Sequence, residues 1–104
     1  MFRDPARYRT LLRKFADLYR DACQSLAQAS LADACLLAHS LKGAAATLGI
    51  NQVAERAGAL ELHYRNGQAT DAGLLAALDA AMTEALASIA GFTADAASRD
   101  STSQ

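Results

Sequence analysis

Two side chains in the stretch AHSLKGAAATLG, residues 38–49, can do chemistry: His39 and Lys42, three positions apart and therefore neighbours on one helix face. A neutral imidazole is a competent nucleophile near pH 7, and an ammonium one turn away offsets the charge of a phosphoryl group. The pair suits a group that picks up phosphate and gives it away. Placed on a wheel at about 100° per residue, with His39 at zero, Leu37, Leu41, Ala44 and Leu48 cluster at the opposite pole. They form the expected core stripe, which turns His39 outward.

The face around His39 is stripped of long side chains. Ala32, Cys35 and Leu36 precede it, and Lys42, Gly43 and Ala46 follow, where a solvated surface ordinarily carries Glu, Gln or Arg. A mid-helix Gly such as Gly43 costs about 0.5–1 kcal/mol relative to Ala, which calls for close approach by another group. Ala32, Cys35, Leu36 and Ala46 are accordingly read as a docking face.

Weighed beside this, a lone histidine on a helix is ordinarily a surface or core residue, and His63 takes that reading. Cys35 and His39 stand at i and i+4, a spacing that can clamp a metal, but two ligands complete no site and no metal is expected. No Gly-rich phosphate loop is present, so the chain is not expected to phosphorylate itself from ATP.

The elements that must position these residues follow from periodicity and caps. Asp4-Pro5 is a helix start, and Tyr8, Leu11, Leu12, Phe15, Tyr19, Ala22 and Leu26 recur at three- and four-residue steps, predicting one helix to about Ala29. Ser30 with Asp33 resembles a capping box opening a second helix over 31–48, closed by Gly49. Asn51 is the expected cap of a third, with Val53, Ala57, Leu60 and Tyr64 on one face and Asn66-Gly67 as its stop. Thr70 or Asp71 caps a fourth, carrying Leu75, Leu78, Met82, Ala85 and Ile89 and ending near Gly91. Four amphipathic helices on short connections predict an all-α, antiparallel up-down four-helix bundle over 1–92, with 93–104 a polar, disordered tail.

Composition bounds the rest. The chain has 104 residues and a formal net charge of −1, enough for one core and too little field to hold nucleic acid. The cluster Arg3, Arg7, Arg9, Arg13 and Lys14 reads as a solvated face. Two cysteines without a C-x-x-C pattern predict free thiols in a reducing, cytoplasmic setting. No apolar run is expected to reach the roughly 18–20 residues that span a bilayer, so no direct membrane contact is expected.

His39-Ser40-Leu41-Lys42-Gly43 with Gly49 resembles the H-x-L-K-G-x-x-x-x-x-G signature of histidine-containing phosphotransfer domains of multistep phosphorelays, and the likeness runs from about Asp4 to Phe92. The resemblance implies that His39 is the phosphoacceptor, taking the group from a receiver-domain aspartate and passing it to another. It implies that Lys42 steadies the phosphoryl oxygens and that Gly43 leaves room for them. The partners would be response-regulator receiver domains, with Mg²⁺ on the receiver and no cofactor on this chain. Family members often carry Gln twenty-two positions after the histidine; here the residue is Glu61, a carboxylate that can orient the ring through its N–H but that repels a phosphoryl group.

The chain is thus expected to be a monomeric carrier, free-standing or the C-terminal domain of a membrane-bound hybrid sensor kinase. Two rivals stand beside it. The phosphoacceptor hairpin of a true histidine kinase usually has an acidic residue straight after the histidine and a Pro shortly beyond, and neither follows His39. A docking bundle that binds a receiver or other regulatory partner without accepting phosphate would need the same core.

Overall fold

The computed structural model describes residues 5–102, with side chains described for 6–92. It is all-helical: α1 spans Pro5–Tyr19, α2 Ala22–Gln28, α3 Leu31–Thr47, α4 Asn51–Arg65 and α5 Ala72–Thr102. The expected Asp4 cap lies outside the described residues. α1 and α2 together occupy one side of a four-helix bundle, each packing on α3 and α5, while α3 packs most extensively on α4 and α4 on α5.

The first helix is broken where periodicity predicts continuity. Arg20 and Asp21 leave helical geometry, with Asp21 at φ −102° and ψ 20°. Tyr19, Ala22 and Leu26 nonetheless stay on the buried face. The apolar spacing is therefore the same on both sides of the break and could not betray it.

Helix ends follow local chemistry. The Ser30 hydroxyl accepts the Asp33 N–H at 3.2 Å and caps α3. At the other end Gly49 adopts φ +77°, Ile50 donates its N–H to the Ala45 carbonyl and Gly49 to that of Ala46, which is a Schellman closure. The same pair of bonds closes α4, through Gly67 (φ +79°) to Tyr64 and Gln68 to His63. Asn51 does not cap α4. Ile50 takes that place because it is already fixed by the Schellman bond, and Asn51 becomes the first helical residue, with no side-chain cap. Of the two candidates for α5, Asp71 accepts the Leu74 N–H at 3.0 Å. The Thr70 hydroxyl is engaged elsewhere, with Tyr64 Oη at 2.8 Å and the Leu26 carbonyl at 3.4 Å.

The core is built from Leu12, Phe15 and Tyr19 of α1, Leu26 of α2, Leu41 of α3, Val53, Leu60 and Tyr64 of α4, and Leu78, Met82 and Ile89 of α5. On α3 the buried face differs from the expected stripe. Ala34, Ala38, Leu41 and Ala45 are fully enclosed, whereas Leu37 and Ala44 are only partly buried. The face is rotated by roughly 60° on the wheel toward α4, because alanines at 34, 38 and 45 let the two helices approach more closely than leucines would.

Two further expectations for the C-terminal part are corrected. α5 passes Gly91 and runs to Thr102 as backbone helix: a single exposed Gly costs only about 1 kcal/mol, and Thr93–Ser98 is alanine-rich with no Pro. The side chains of 93–102, and residues 103–104 altogether, lie outside the described residues, so the disordered tail expected over 93–104 is described only as backbone helix to Thr102. The 21 residues Ala72–Phe92 are also long and apolar enough to cross a membrane by length and composition, against the expectation that no run reaches that length; alanine supplies much of this one. Within the bundle this segment buries Leu78, Ala81, Met82 and Ile89 against the other helices.

Candidate functional site

The middle of α3 and the last turns of α4 face one another across the alanine seam. His39 lies opposite Glu61, and Lys42 crosses Gly58, where an added Cβ would come within 3.2 Å of Lys42 Cδ. These pairs step in opposite directions from the Gly49 turn, so α3 and α4 form a hairpin whose register is set by that turn. Packing has fixed which side chains meet before any polar contact forms.

Glu61 is the centre of the site. It is 3% exposed, and it holds three groups: His39 Nδ1 at 2.7 Å from Oε2, Lys42 Nζ at 2.8 Å from Oε1, and Arg65 Nη2 at 2.9 Å from Oε2. A buried carboxylate is unfavourable unless paired. Here the Lys42 hydrogen bond, opposed by burial and supported by His39 and Arg65, holds the Glu61 carboxyl below the usual carboxylate range. Glu61 is therefore ionised at neutral pH and can only accept hydrogen bonds. Nδ1 of His39 must be the donor, which leaves the lone pair on Nε2.

The His39 side chain is 60% exposed, so the ring is tied at one nitrogen and open to solvent. Lys42 is half-buried and already paired with Glu61, where the sequence reading left it free on the outer face. Gly43 is exposed, and a methyl group added to it would meet nothing within 4 Å, so no group of this chain among the described residues requires glycine there. Ala32, Leu36 and Ala46 are exposed and Cys35 partly so. They form one surface with His39. Beside it a groove of about 300 Å³ runs between α1 and α3, bordered by Leu11, Lys14, Leu18, Gly43 and Thr47. Leu18 is 73% exposed, which adds an α1 residue to the surface read from α3 alone.

Two members of the site escaped the sequence reading. Arg65 stands four residues after Glu61, an i,i+4 pair legible on any helix. Gly58 is a mid-helix glycine one turn before Glu61, and its missing side chain is the bed on which Lys42 lies. Other chemical groups lie elsewhere. His63 packs edge-on against Tyr64. Burial, reinforced by Asp79, pushes the Cys23 thiol up to about 11 and keeps it protonated. Both cysteines are free, and among the described residues no group of three or more His, Cys, Asp or Glu is gathered to hold a metal ion. A cavity of about 380 Å³ opens at the Gly49 turn between α1, α4 and α5, and none of His39, Lys42, Glu61 or Arg65 lines it.

The fold is a four-helix bundle with an exposed histidine, held at Nδ1 by a buried carboxylate, on the middle of one helix. The model of the Hpt domain family matches residues 8–88, and the chain belongs to that family. It is thus a phosphotransfer module of two-component relays, a phosphoryl carrier rather than a catalytic domain, of a kind that engages response-regulator receiver domains. Comparison with curated proteins and with solved structures finds no match.

Proposed function

We propose that His39 is the phosphoacceptor, taking a phosphoryl group from the aspartyl phosphate of one receiver domain and passing it to the aspartate of another. The observation that carries this reading is the exposed His39 ring bound at Nδ1, 2.7 Å from a buried carboxylate, which leaves Nε2 as the outward nucleophile. Its lone pair attacks phosphorus, the bond from phosphorus to the aspartate oxygen breaks, and the electron pair departs with the carboxylate. The transition state is loose, so the chain contributes position and charge rather than covalent activation. Mg²⁺ belongs to the receiver.

Lys42 and Gly43 have distinct parts. Lys42 swings its ammonium from Glu61 toward the phosphoryl oxygens, a short movement for a flexible stem. Gly43 keeps the surface flat where the receiver's phosphorylated loop approaches. Ala32, Cys35, Leu36 and Ala46 provide apolar contact around the ring. Glu61 orients the ring, and its charge is offset by Lys42 and Arg65, which answers the repulsion that a carboxylate would otherwise exert on phosphate. The carrier works as a monomeric, antiparallel up-down bundle in the cytoplasm, as a free domain or at the C-terminal end of a membrane-bound sensor kinase, without contacting the membrane or nucleic acid.

The test is incubation with a radiolabelled, phosphorylated receiver and Mg²⁺. Acid-labile, base-stable label on the chain, absent after His39→Gln, is the expected result. Binding of the receiver without label would favour the docking-bundle reading instead.

A further inference from the structure

The two cations on Glu61 are held in different ways. Arg65 stands at i+4 from Glu61 on the same helix, so its contact with Oε2 at 2.9 Å lies within α4 and moves with the carboxylate. Its guanidinium is always charged and presents its N–H groups in a fixed plane. Lys42 comes instead from the opposite helix, lies across Gly58 and meets Oε1 at 2.8 Å through a single flexible stem. It also stands one turn from His39 on α3, which makes it the cation placed to follow a phosphoryl group on Nε2. To do so it must abandon a carboxylate that is 3% exposed.

A buried charge stripped of its partner is strongly destabilising, so the release of Lys42 depends on what else stays on Glu61. We propose that Arg65 is a positioning residue: it remains on Oε2 and keeps Glu61 compensated while Lys42 crosses to the phosphoryl oxygens. The inference rests on the phosphoacceptor reading of His39 and adds to it how the lysine is set free. Without Arg65, Lys42 would be the one cation on Glu61 among the described residues, and the carboxylate would retain it when the phosphoryl group arrives. The two oxygens keep these tasks apart, because the departing ammonium sits on Oε1 and the guanidinium on Oε2. The Arg65 side chain is 63% exposed, so its removal leaves no cavity in the core, and what it contributes is charge at one buried atom.

The test is a cycle of variants in receiver-driven labelling. Arg65→Gln should slow the rate at saturating receiver by about threefold or more, without changing the receiver concentration that gives half the maximal rate, and Arg65→Lys should restore it. In a Glu61→Gln background, where no charge holds Lys42, Arg65→Gln should slow nothing further. An unchanged rate, a slowing that persists beside Glu61→Gln, or a shift in half-saturation alone overturns the proposal, the last two because they mean that Arg65 touches the phosphoryl group or the receiver directly. Phosphoramidate gives a second reading without any receiver: Nε2 attacks its phosphorus and ammonia leaves with the electron pair of the broken P–N bond. In the chain so charged, NMR should show through-space transfer from phosphorus to the Lys42 ε-methylene, lost in Arg65→Gln and kept in Arg65→Lys. Equal transfer in Arg65→Gln, or transfer to Arg65 itself, contradicts the assignment, and this reading decides should Glu61→Gln fail to fold. A chain charged by phosphoramidate but never by a receiver would sink the carrier reading and leave the phosphorus contacts to judge Arg65 separately.

Discussion

The two helix pairs of this bundle are built from different stock. Where α1 meets α5, the surfaces are large: Leu12, Phe15 and Tyr19 against Met82 and Ile89, with Tyr8 edge-on to Phe92 at 6.3 Å. A cavity of about 380 Å³ remains at its end. Where α3 meets α4, Ala34, Ala38 and Ala45 of α3 and Ala57 of α4 line the seam beside larger core residues, with Gly58 beneath Lys42 and the register pinned by the Gly49 turn. Bulk buries apolar area and stabilises the fold; small residues bring backbones together and fix polar distances. The second kind of packing is what places Glu61 within 2.7–2.8 Å of His39 and Lys42, while Arg65 reaches it at 2.9 Å from the next turn of α4 itself.

That division can be broken experimentally. Phe15→Ala removes a buried aromatic from the α1 side and should cost about 3–5 kcal/mol of stability, measured by urea unfolding, while the folded fraction transfers phosphoryl at the wild-type rate. A matching loss of rate would mean that the pairs are not separable. Gly49→Ala forces a side chain into the left-handed region and should cost about 1–2 kcal/mol; loosening the hairpin, it should lower both stability and labelling rate.

Gly58→Val sharpens the comparison from the other side. It should leave unfolding nearly unchanged yet slow labelling about fivefold, roughly 1 kcal/mol of barrier, because Lys42 loses its bed. The smallest effect is that of acid. Glu61 is held below the usual carboxylate range, so its ion-pair stabilisation is fully present above that range and is lost as pH falls through the depressed value. Glu61→Gln should therefore narrow the gap in stability between neutral and acidic pH, followed by thermal unfolding at a series of pH values; an equal gap in both proteins would count against the pairing.

Much of this was legible in the chain itself. Ser30, Gly49, Asn66-Gly67 and Asp71 mark helix ends because caps are local chemistry, and the outward placement of His39 follows from the period of its own helix. What was hidden depends on partners. The break at Arg20-Asp21 preserves the apolar phase, and the rotation of α3 toward Ala38 is imposed by α4. Asn51 lost its capping place to a bond made from the preceding helix. Gly58 gains its meaning only when α4 is laid against Lys42, a juxtaposition that no single-helix pattern contains, whereas the Arg65–Glu61 pair is an i,i+4 spacing within α4 itself.

The most direct measurement locates the phosphorus–nitrogen bond. A ¹⁵N-histidine-labelled chain, phosphorylated by a receiver domain and read by ³¹P–¹⁵N correlation, should show phosphorus on Nε2 of His39 and a proton retained on Nδ1. Phosphorus on Nδ1, or on His63, would contradict the arrangement in which Glu61 occupies one nitrogen so that the other can carry the group.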